Sequence, residues 1–132
     1  MKKIAVISMG VKLDNEKGYS RFRYIGEFLS DAGYQVDLIT TTFQHWEKAQ
    51  RNLDEIKKEN YKFNLKFIYE PGYKKNIDLR RIRSHRIAAK NLRQLLEKEG
   101  DYDLIYCEIP PNDVALAAAE YAKEKGIPFV PD

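Results

Sequence analysis

Glu108 has the setting in this chain that best suits acid–base chemistry. It follows the apolar segment 103–107 and precedes Ile109 and two prolines at 110–111, which rigidify the turn. A carboxylate at a strand end beside a rigid turn is well placed to act as a general base, so Glu108 is the candidate catalytic residue. The simpler interpretation, which the residues alone favour, is a polar residue leaving a strand, with Asn112 capping the next helix. Asn112 is also a candidate substrate contact.

The loop after the first apolar segment is a second candidate site. Gly10 begins it, and Gly18, Tyr19, Ser20 and Arg21 lead into a predicted helix. A glycine at a helix start lets the backbone approach a ligand, and the free N–H groups and helix dipole there favour an anion. Arg21 would add a charge-assisted contact. These five residues are therefore candidate substrate contacts, although a turn glycine and a solvated arginine explain the pattern equally well.

The third candidate is the aromatic and polar segment 41–46. Its hydroxyl, amide and imidazole groups, with Phe43 and Trp46, could hold a sugar, and Thr41 and His45 are the candidate contacts. The alternative is that the aromatic rings pack on a neighbouring helix. His45 and the other histidine, His85, are too far apart in sequence to give metal-ligand spacing, so no metal and no cofactor are predicted.

Composition limits the classes of protein that this chain can belong to. The 132 residues fit one domain, and 43% apolar with 33% charged residues is a globular composition. The first apolar stretch, 4–7, is too short for a signal peptide, and no stretch reaches the roughly 18 apolar residues of a membrane helix, so a cytoplasmic protein is predicted. The single cysteine, Cys107, excludes an internal disulfide and is interpreted as a packed core thiol.

Positive charge is concentrated in one segment. The whole chain carries +3, whereas residues 74–93 contain eight basic side chains against Asp78 alone, which gives this segment +7. Helical spacing separates an apolar stripe that includes Ile82 and Leu92 from a basic face of Arg83, Arg86, Lys90 and Arg93. The face is interpreted either as solvated or as contacting an anionic membrane, at about 1 kcal/mol per basic residue. Nucleic acid is not predicted as a partner because no recognition motif accompanies the charge.

The apolar periodicity predicts an α/β fold. Strands are expected at 3–9, 35–40, 63–69, 103–107 and 127–130, with helices at 19–32, 78–98 and 114–125 and a partly helical segment at 49–59. Right-handed crossovers make this a Rossmann-like, doubly wound parallel sheet of about five strands in the order 3-2-1-4-5. Ligands bind such sheets at the carboxyl ends of the strands, where the candidate residues lie. Because the sequence stops directly after the last strand, we expect further chain to follow.

Three parts of the sequence share a pattern with a known family. They are 3–8 with 18–24; 29–40, which is like "L-x-x-x-G-H-x-V-x-V-I-T" with Tyr34 in place of the histidine; and 102–132, with its two prolines and alanine-rich helix. Together they resemble the N-terminal domain of GT-B glycosyltransferases, especially the family 4 enzymes of bacterial capsule and surface polysaccharide synthesis. Gly18 matches the family's glycine near the donor phosphates, and Glu108 falls where many members have a histidine or an aspartate.

The resemblance implies a two-domain enzyme in which residues 1–132 hold the acceptor and a C-terminal domain, absent here, binds the nucleotide-sugar donor. The expected activity is transfer of a sugar to a surface-polysaccharide or lipid-linked acceptor, without a bound metal. We expect the enzyme to be a peripheral protein on the inner face of the membrane. We expect residues 1–132 alone to be inactive. The alternative is a non-catalytic flavodoxin-like or receiver-like binding module, although 8–10 lack the acidic cluster of receivers. A sugar-nucleotide epimerase or dehydrogenase would show GxGxxG after the first strand, which is missing.

Overall fold

A computed structural model describes residues 2–14 and 16–132. In chain order the regular elements are β1 (Lys3–Ile7), α1 (Arg21–Asp31), β2 (Gln35–Thr41), β3 (Phe43–Gln44), β4 (Ala49–Gln50), β5 (Asn64–Ile68), α2 (Leu79–Glu99), β6 (Leu104–Cys107), α3 (Asn112–Lys125) and β7 (Phe129–Pro131). Short 3-10 turns occur at Leu53–Glu55 and Lys58–Asn60.

The main sheet has five parallel strands in the order β5-β2-β1-β6-β7 within the described residues. Ile4 on β1 lies between Val36 on β2 and Leu104 on β6, and Ile105 pairs with Phe129 on β7. The predicted third, fourth and fifth strands are β5, β6 and β7, so the predicted order 3-2-1-4-5 is confirmed. Because all five strands run the same way, their carboxyl ends form one edge of the sheet.

Helices cover both faces of this sheet, which makes the fold Rossmann-like. On one face α2 and α3 bury Ala88, Leu92 and Tyr121 against strand residues such as Ile7 and Ile105. On the other face α1 packs Phe22 beside Val6, Leu38, Phe63 and Leu65. Each fully buried Val, Leu, Ile or Phe side chain contributes about 1.5–3 kcal/mol when it is removed from water. The nearly continuous apolar run of β1 follows from this two-sided burial.

The segment 49–59, predicted to be partly helical, contains short 3-10 turns but no α-helix. Residues 49–50 instead pair with Phe43 and Gln44 in the β3–β4 hairpin, and 3-10 turns follow. The Arg51 N–H donates to the carbonyl of Thr42 (2.7 Å), and the Gln50 side chain donates to the carbonyl of Glu70 (2.9 Å). The backbone hydrogen bond of Arg51 replaces the i to i−4 bond that a helix would have needed, and the side-chain bond of Gln50 holds the hairpin to the segment after β5.

Ile82, which belongs to the predicted apolar stripe, is exposed, and so is the apolar residue Phe28 on α1. Phe28 on α1 is 71% exposed and Ile82 on α2 is 49% exposed. The residues that α2 buries repeat every four positions, starting at Ser84. Ile82 lies two positions before Ser84, about 200° round the helix, and therefore faces away from the core.

Candidate functional site

A cleft of about 280 Å³ opens at the carboxyl edge of the parallel sheet. The segments after β1, β2, β5 and β6 form its walls together with the start of α2, as expected for a ligand site in an open α/β sheet. The lining residues are Met9, Gly10, Tyr19, Phe43, His45, Trp46, Glu70, Tyr73, Arg81, His85, Glu108, Ile109, Pro110 and Pro111.

Glu108 lies on the wall that β1 and β6 form. Its backbone N–H donates to the carbonyl of Ile7 (2.9 Å), which continues the pairing of the two strands. Its side-chain Oε1 accepts a hydrogen bond from the Gly10 N–H at 3.1 Å. Burial raises the pKa of Glu108, and the Gly10 hydrogen bond acts in the opposite direction. A partly desolvated, oriented carboxyl group in a cleft is suited to proton transfer.

An aromatic wall adjoins this carboxyl group. The Trp46 indole Nε1 donates to the carbonyl of Gly10 (3.3 Å), and the Tyr19 ring meets the indole nearly perpendicularly, with centroids 5.0 Å apart. Gly18 has φ +120°, and a Cβ at this position would lie 2.4 Å from Trp46 Cδ1. Glycine at 18 therefore lets the loop pack directly under the indole. Both rings are exposed to solvent, so they can contact a ligand.

The next part of the wall carries two histidines around a buried tyrosine, and the His45 ring meets the Trp46 ring edge-on, with centroids 5.6 Å apart. The Tyr73 hydroxyl and His45 Nδ1 share a hydrogen bond, and the His85 ring meets the Tyr73 ring edge-on, with centroids 5.7 Å apart. Arg81, on the same helix as His85, also lines this wall. The pKa of each histidine is lowered, and burial is the largest cause.

A second carboxyl group, Glu70, is buried two residues after β5 and also lines the cleft. Its Oε2 accepts a hydrogen bond from the Ser84 hydroxyl (2.6 Å), and Ser84 Oγ accepts from the Gly72 N–H (2.9 Å). His85 Nε2 is 4.0 Å from the same Oε2. Burial raises the pKa of Glu70, and the hydrogen bond from Ser84 partly offsets that rise.

Arg51 ties the loop after β1 to the hairpin after β2. Its guanidinium is almost fully buried and pairs with Glu16, Nε to Oε2, at 3.1 Å. It also donates to Thr40 Oγ1 (3.1 Å), to the carbonyl of Thr41 (2.8 Å) and to the carbonyl of Val11 (2.7 Å). The two segments that it joins carry Tyr19 and Trp46, so Arg51 positions the aromatic wall without lining the cleft.

The structure brings some of the predicted contacts together and leaves others apart. Glu108, Gly10, Tyr19 and His45 line the cleft, and Gly18 lies beneath Trp46. The remaining predicted contacts, which do not line it, are Thr41, Ser20, Arg21 and Asn112.

Each of these outlying residues has a structural explanation. Thr41 is buried, and its hydroxyl accepts from the Phe43 N–H (3.1 Å). Arg21 pairs with Asp132, Nη1 to Oδ1, at 2.7 Å. Ser20 is the N-cap of α1 without a side-chain cap hydrogen bond. Asn112 is exposed as the first residue of α3, and Pro111 takes the N-cap position that the alternative interpretation gave to Asn112.

Sequence reasoning did not single out Tyr73, Arg81 and Arg51, and it considered His85 only as a metal ligand. Tyr73 and Arg81 lie in a basic, polar segment whose composition suggested a solvated surface. Arg51 lies in a segment predicted to be partly helical. The sequence does contain one signal that points to this region. The apolar pattern of β5 predicts a strand, and residues directly after a strand lie at the ligand-binding edge of such a sheet.

No family model and no curated protein matches this chain. Solved structures do. Two crystal structures of the C-terminal domain of a hydrogenase from Pyrococcus furiosus are similar to it. One has a TM-score of 0.65 at 24% identity, covering 99% of this chain and 90% of that chain, and the other has 0.68 at 22%, covering 99% and 91%. A UGT transferase from Siraitia grosvenorii in complex with UDP has a TM-score of 0.56 at 12% identity, and the match covers 98% of this chain and 27% of that one.

These likenesses define the class of the domain. It is a Rossmann-like α/β domain with a five-stranded parallel sheet. It also has a weak structural similarity to one portion of a glycosyltransferase.

Proposed function

We propose that this chain is the acceptor-side N-terminal domain of a GT-B glycosyltransferase. The enzyme would move a sugar from a nucleotide-sugar donor to a surface-polysaccharide or lipid-linked acceptor. The observation that carries the proposal is the placement of Glu108 beside the exposed rings of Tyr19 and Trp46 in one cleft at the carboxyl edge of the sheet. The sequence resemblance to family 4 enzymes and the likeness to a transferase crystallised with UDP support it.

In this proposal the cleft binds and activates the acceptor. A sugar ring stacks on the aromatic wall, which brings one hydroxyl group to Glu108. The carboxylate accepts the hydroxyl proton while the hydroxyl oxygen forms the new bond to the anomeric carbon of the donor. The bond from that carbon to the nucleoside diphosphate breaks, and the diphosphate leaves with the bonding electrons. The donor is held mainly by a second domain outside residues 1–132, so 1–132 alone is expected to be inactive.

The test uses the complete product of the gene. It is incubated with a panel of nucleotide sugars and a membrane extract as acceptor, and release of nucleoside diphosphate is measured. We expect release from one donor, dependent on the extract. A folded complete product that binds the extract but releases no diphosphate from any donor would favour the flavodoxin-like binding module instead.

One exposed surface of the domain combines apolar and basic side chains. Ile77 is 97% exposed and Leu79 is 82% exposed, and Ile82 also faces solvent. The side chains of Lys74, Lys75, Arg80 and Arg83 interleave with these three residues in sequence and are exposed as well. Apolar tips that enter the interface, surrounded by cations that attract anionic lipids, are the features of peripheral membrane binding. We infer that residues 74–83 dock on the cytoplasmic face of the membrane.

The predicted membrane-facing residues differ in whether their charges are neutralised by nearby carboxylates. Arg93 pairs with Glu97 (2.9 Å) and with Glu124, so its charge is compensated. Arg83, Arg86 and Lys90 are exposed, and the first of them adjoins Ile82. Within the described part of the chain no helix is long and apolar enough to cross a bilayer. Because the charge of Arg93 is compensated, docking would involve the first turns of α2 and the segment before it more than the end of that helix.

Vesicle binding tests this docking surface. The double variant Ile77→Ser/Leu79→Ser should bind vesicles of phosphatidylcholine and phosphatidylglycerol at least about tenfold more weakly, because each exposed aliphatic side chain gains about 1.5–3 kcal/mol when fully buried. Phe28→Ser removes a comparably exposed side chain from the opposite face of the sheet and is the matched control. Equal binding by the double variant and the control, measured by co-sedimentation, would contradict the docking surface.

A further inference from the structure

Three basic side chains meet at the end of the cleft formed by the hairpin, the Tyr73 segment and α2. His45 shares a hydrogen bond with the Tyr73 hydroxyl, and His85 packs on the edge of the same ring. Arg81 lines the cleft beside them. Glu108 lies on a different wall, which β1 and β6 form. The cleft therefore has a carboxyl group on one wall and a basic cluster, Arg81, His45 and His85, on another.

The guanidinium of Arg81 has hydrogen-bonding capacity that this protein does not use. Its Nη1 donates to the carbonyl of Asn76 at the long distance of 3.3 Å. Its Nε is buried and has no hydrogen-bond partner among residues 2–14 and 16–132. A buried charged donor without a partner is costly, and an arginine has five N–H donors in a planar fork. Nε itself is enclosed, but Arg81 lines the cleft, so an acceptor supplied by a ligand there would bind the remaining N–H groups of the guanidinium.

The Tyr73 hydroxyl and His45 Nδ1 share a hydrogen bond, and burial raises the pKa of Tyr73, so the phenol is protonated. When the phenol donates in this hydrogen bond, a neutral imidazole accepts at Nδ1 and carries its own proton on Nε2. In that tautomer His45 is an N–H donor at Nε2 even when it is uncharged.

The charges around the two histidines disfavour their protonation in the empty cleft. Burial lowers the pKa of His45 most, and the nearby cations Lys48 and Arg81 lower it further. Burial is also the largest cause of the lowered pKa of His85. Arg81 and His45 lower this pKa further, whereas Asp113 on α3 raises it.

Buried Glu70 also faces His85, 4.0 Å from its Nε2, and would by itself repel an anion. The net charge of the basic cluster and Glu70 together is therefore not strongly positive until a histidine takes up a proton.

We propose that the basic cluster is a subsite for a phosphate group, bound by Arg81, His45 and His85. Phosphate matches the planar fork of a guanidinium and accepts several hydrogen bonds at once. The location of the cluster in the same cleft as Glu108 suits a ligand that carries a phosphate ester as well as a hydroxyl group. Identifying this ligand as the glycosyl acceptor rests on the proposed function, whereas the binding of phosphate does not.

Binding at this subsite should be coupled to proton uptake. An anion beside His45 and His85 stabilises their charged forms, so it raises the pKa of each from the lowered value of the empty cleft. There is then a pH range in which the histidines are neutral in the empty cleft and protonated when an anion is bound. Affinity for an anion of constant charge must increase as the pH falls through this range. Sulfate is such an anion because it stays doubly charged between pH 6 and 8, whereas phosphate changes its own charge there.

The experiment titrates the 132-residue chain with sulfate at constant ionic strength and follows the imidazole C–H signals of His45 and His85 by NMR. We expect saturable shifts at both histidines and tighter binding at pH 6 than at pH 8. Arg81→Gln should weaken binding at least about tenfold, because it removes a charge-assisted contact. Arg86→Gln changes an exposed arginine on the same helix that does not line the cleft, and it should bind as the unaltered chain does.

Further variants and probes separate the possible outcomes. His45→Gln and His85→Gln should each flatten the pH dependence, and thermal unfolding checks that all variants are folded. Glycerol 3-phosphate, glucose 1-phosphate and inorganic phosphate, compared at one pH, show which source of the phosphate group is preferred. Equal weakening by Arg81→Gln and Arg86→Gln, or shifts that do not saturate, would overturn the subsite. Sulfate binding by a chain whose complete product transfers no sugar would retain the subsite and reject the proposed function.

Discussion

Replacing Arg51 by methionine should destabilise the domain by about 3–5 kcal/mol, because removal of one partner of a buried ion pair leaves the other charge uncompensated. Methionine keeps most of the side-chain volume, so the loss is mainly of charge and hydrogen bonds. Glu16 loses its partner at 3.1 Å, and the carbonyls of Val11 and Thr41 and the hydroxyl of Thr40 lose their donor. Urea unfolding measures the change.

The fluorescence of Trp46, the sole tryptophan, adds a local readout. Since Arg51 joins the hairpin of Trp46 to the loop of Tyr19, the native emission of Arg51→Met should shift towards that of a more solvated indole. Arg80→Met changes an exposed arginine and should alter stability by less than about 0.5 kcal/mol, as is usual at exposed positions. A loss below about 1 kcal/mol for Arg51→Met would show that the Arg51 contacts are not what holds the two loops.

Changing Glu108 to glutamine in the complete gene product should lower kcat by about 10²–10⁴-fold, the usual contribution of a general base. Glutamine has nearly the same shape and can still accept the hydrogen bond from the Gly10 N–H, which at present is 3.1 Å long. The variant therefore tests proton transfer more than packing. The KM for the nucleotide sugar should change little, because the donor is bound mainly by the second domain in this proposal.

The pH profile distinguishes a base from a merely structural carboxyl group. A general base acts when ionised, and burial raises the pKa of Glu108, so kcat/KM should fall with decreasing pH at values above the ordinary range of a glutamate. This acidic limb should be absent from the residual activity of Glu108→Gln. Glu120→Gln, an exposed change on α3, should keep both the rate and the limb. If Glu108→Gln were fully active, Glu108 would be excluded as the general base, but the protein could still be a transferase.

The sequence by itself determined the fold. The run 4–7 is apolar on both faces and 36–39 is interrupted only by Asp37, a pattern typical of a strand covered by helices on both sides, and glycines at 33, 100 and 126 end the three main helices. Right-handed crossovers then restrict how such strands and helices can connect, and the predicted strand order follows. The sequence also placed Gly10, Tyr19, His45 and Glu108 at the edge where the cleft opens.

Tertiary structure alone decided which of the polar residues face one another. Arg21 and Asp132 are 111 positions apart, Gly10 and Glu108 are 98 apart, and Arg51 and Glu16 are 35 apart. The hairpin takes residues 49–50 out of the segment predicted to be partly helical for the same reason, since the hydrogen bonds of Gln50 and Arg51 reach residues 70 and 42. Periodicity reports which face of an element is apolar, but the partner of a charge depends on the packing of separate elements. The basic cluster around Tyr73 therefore became visible only once β2, β5 and α2 were placed side by side.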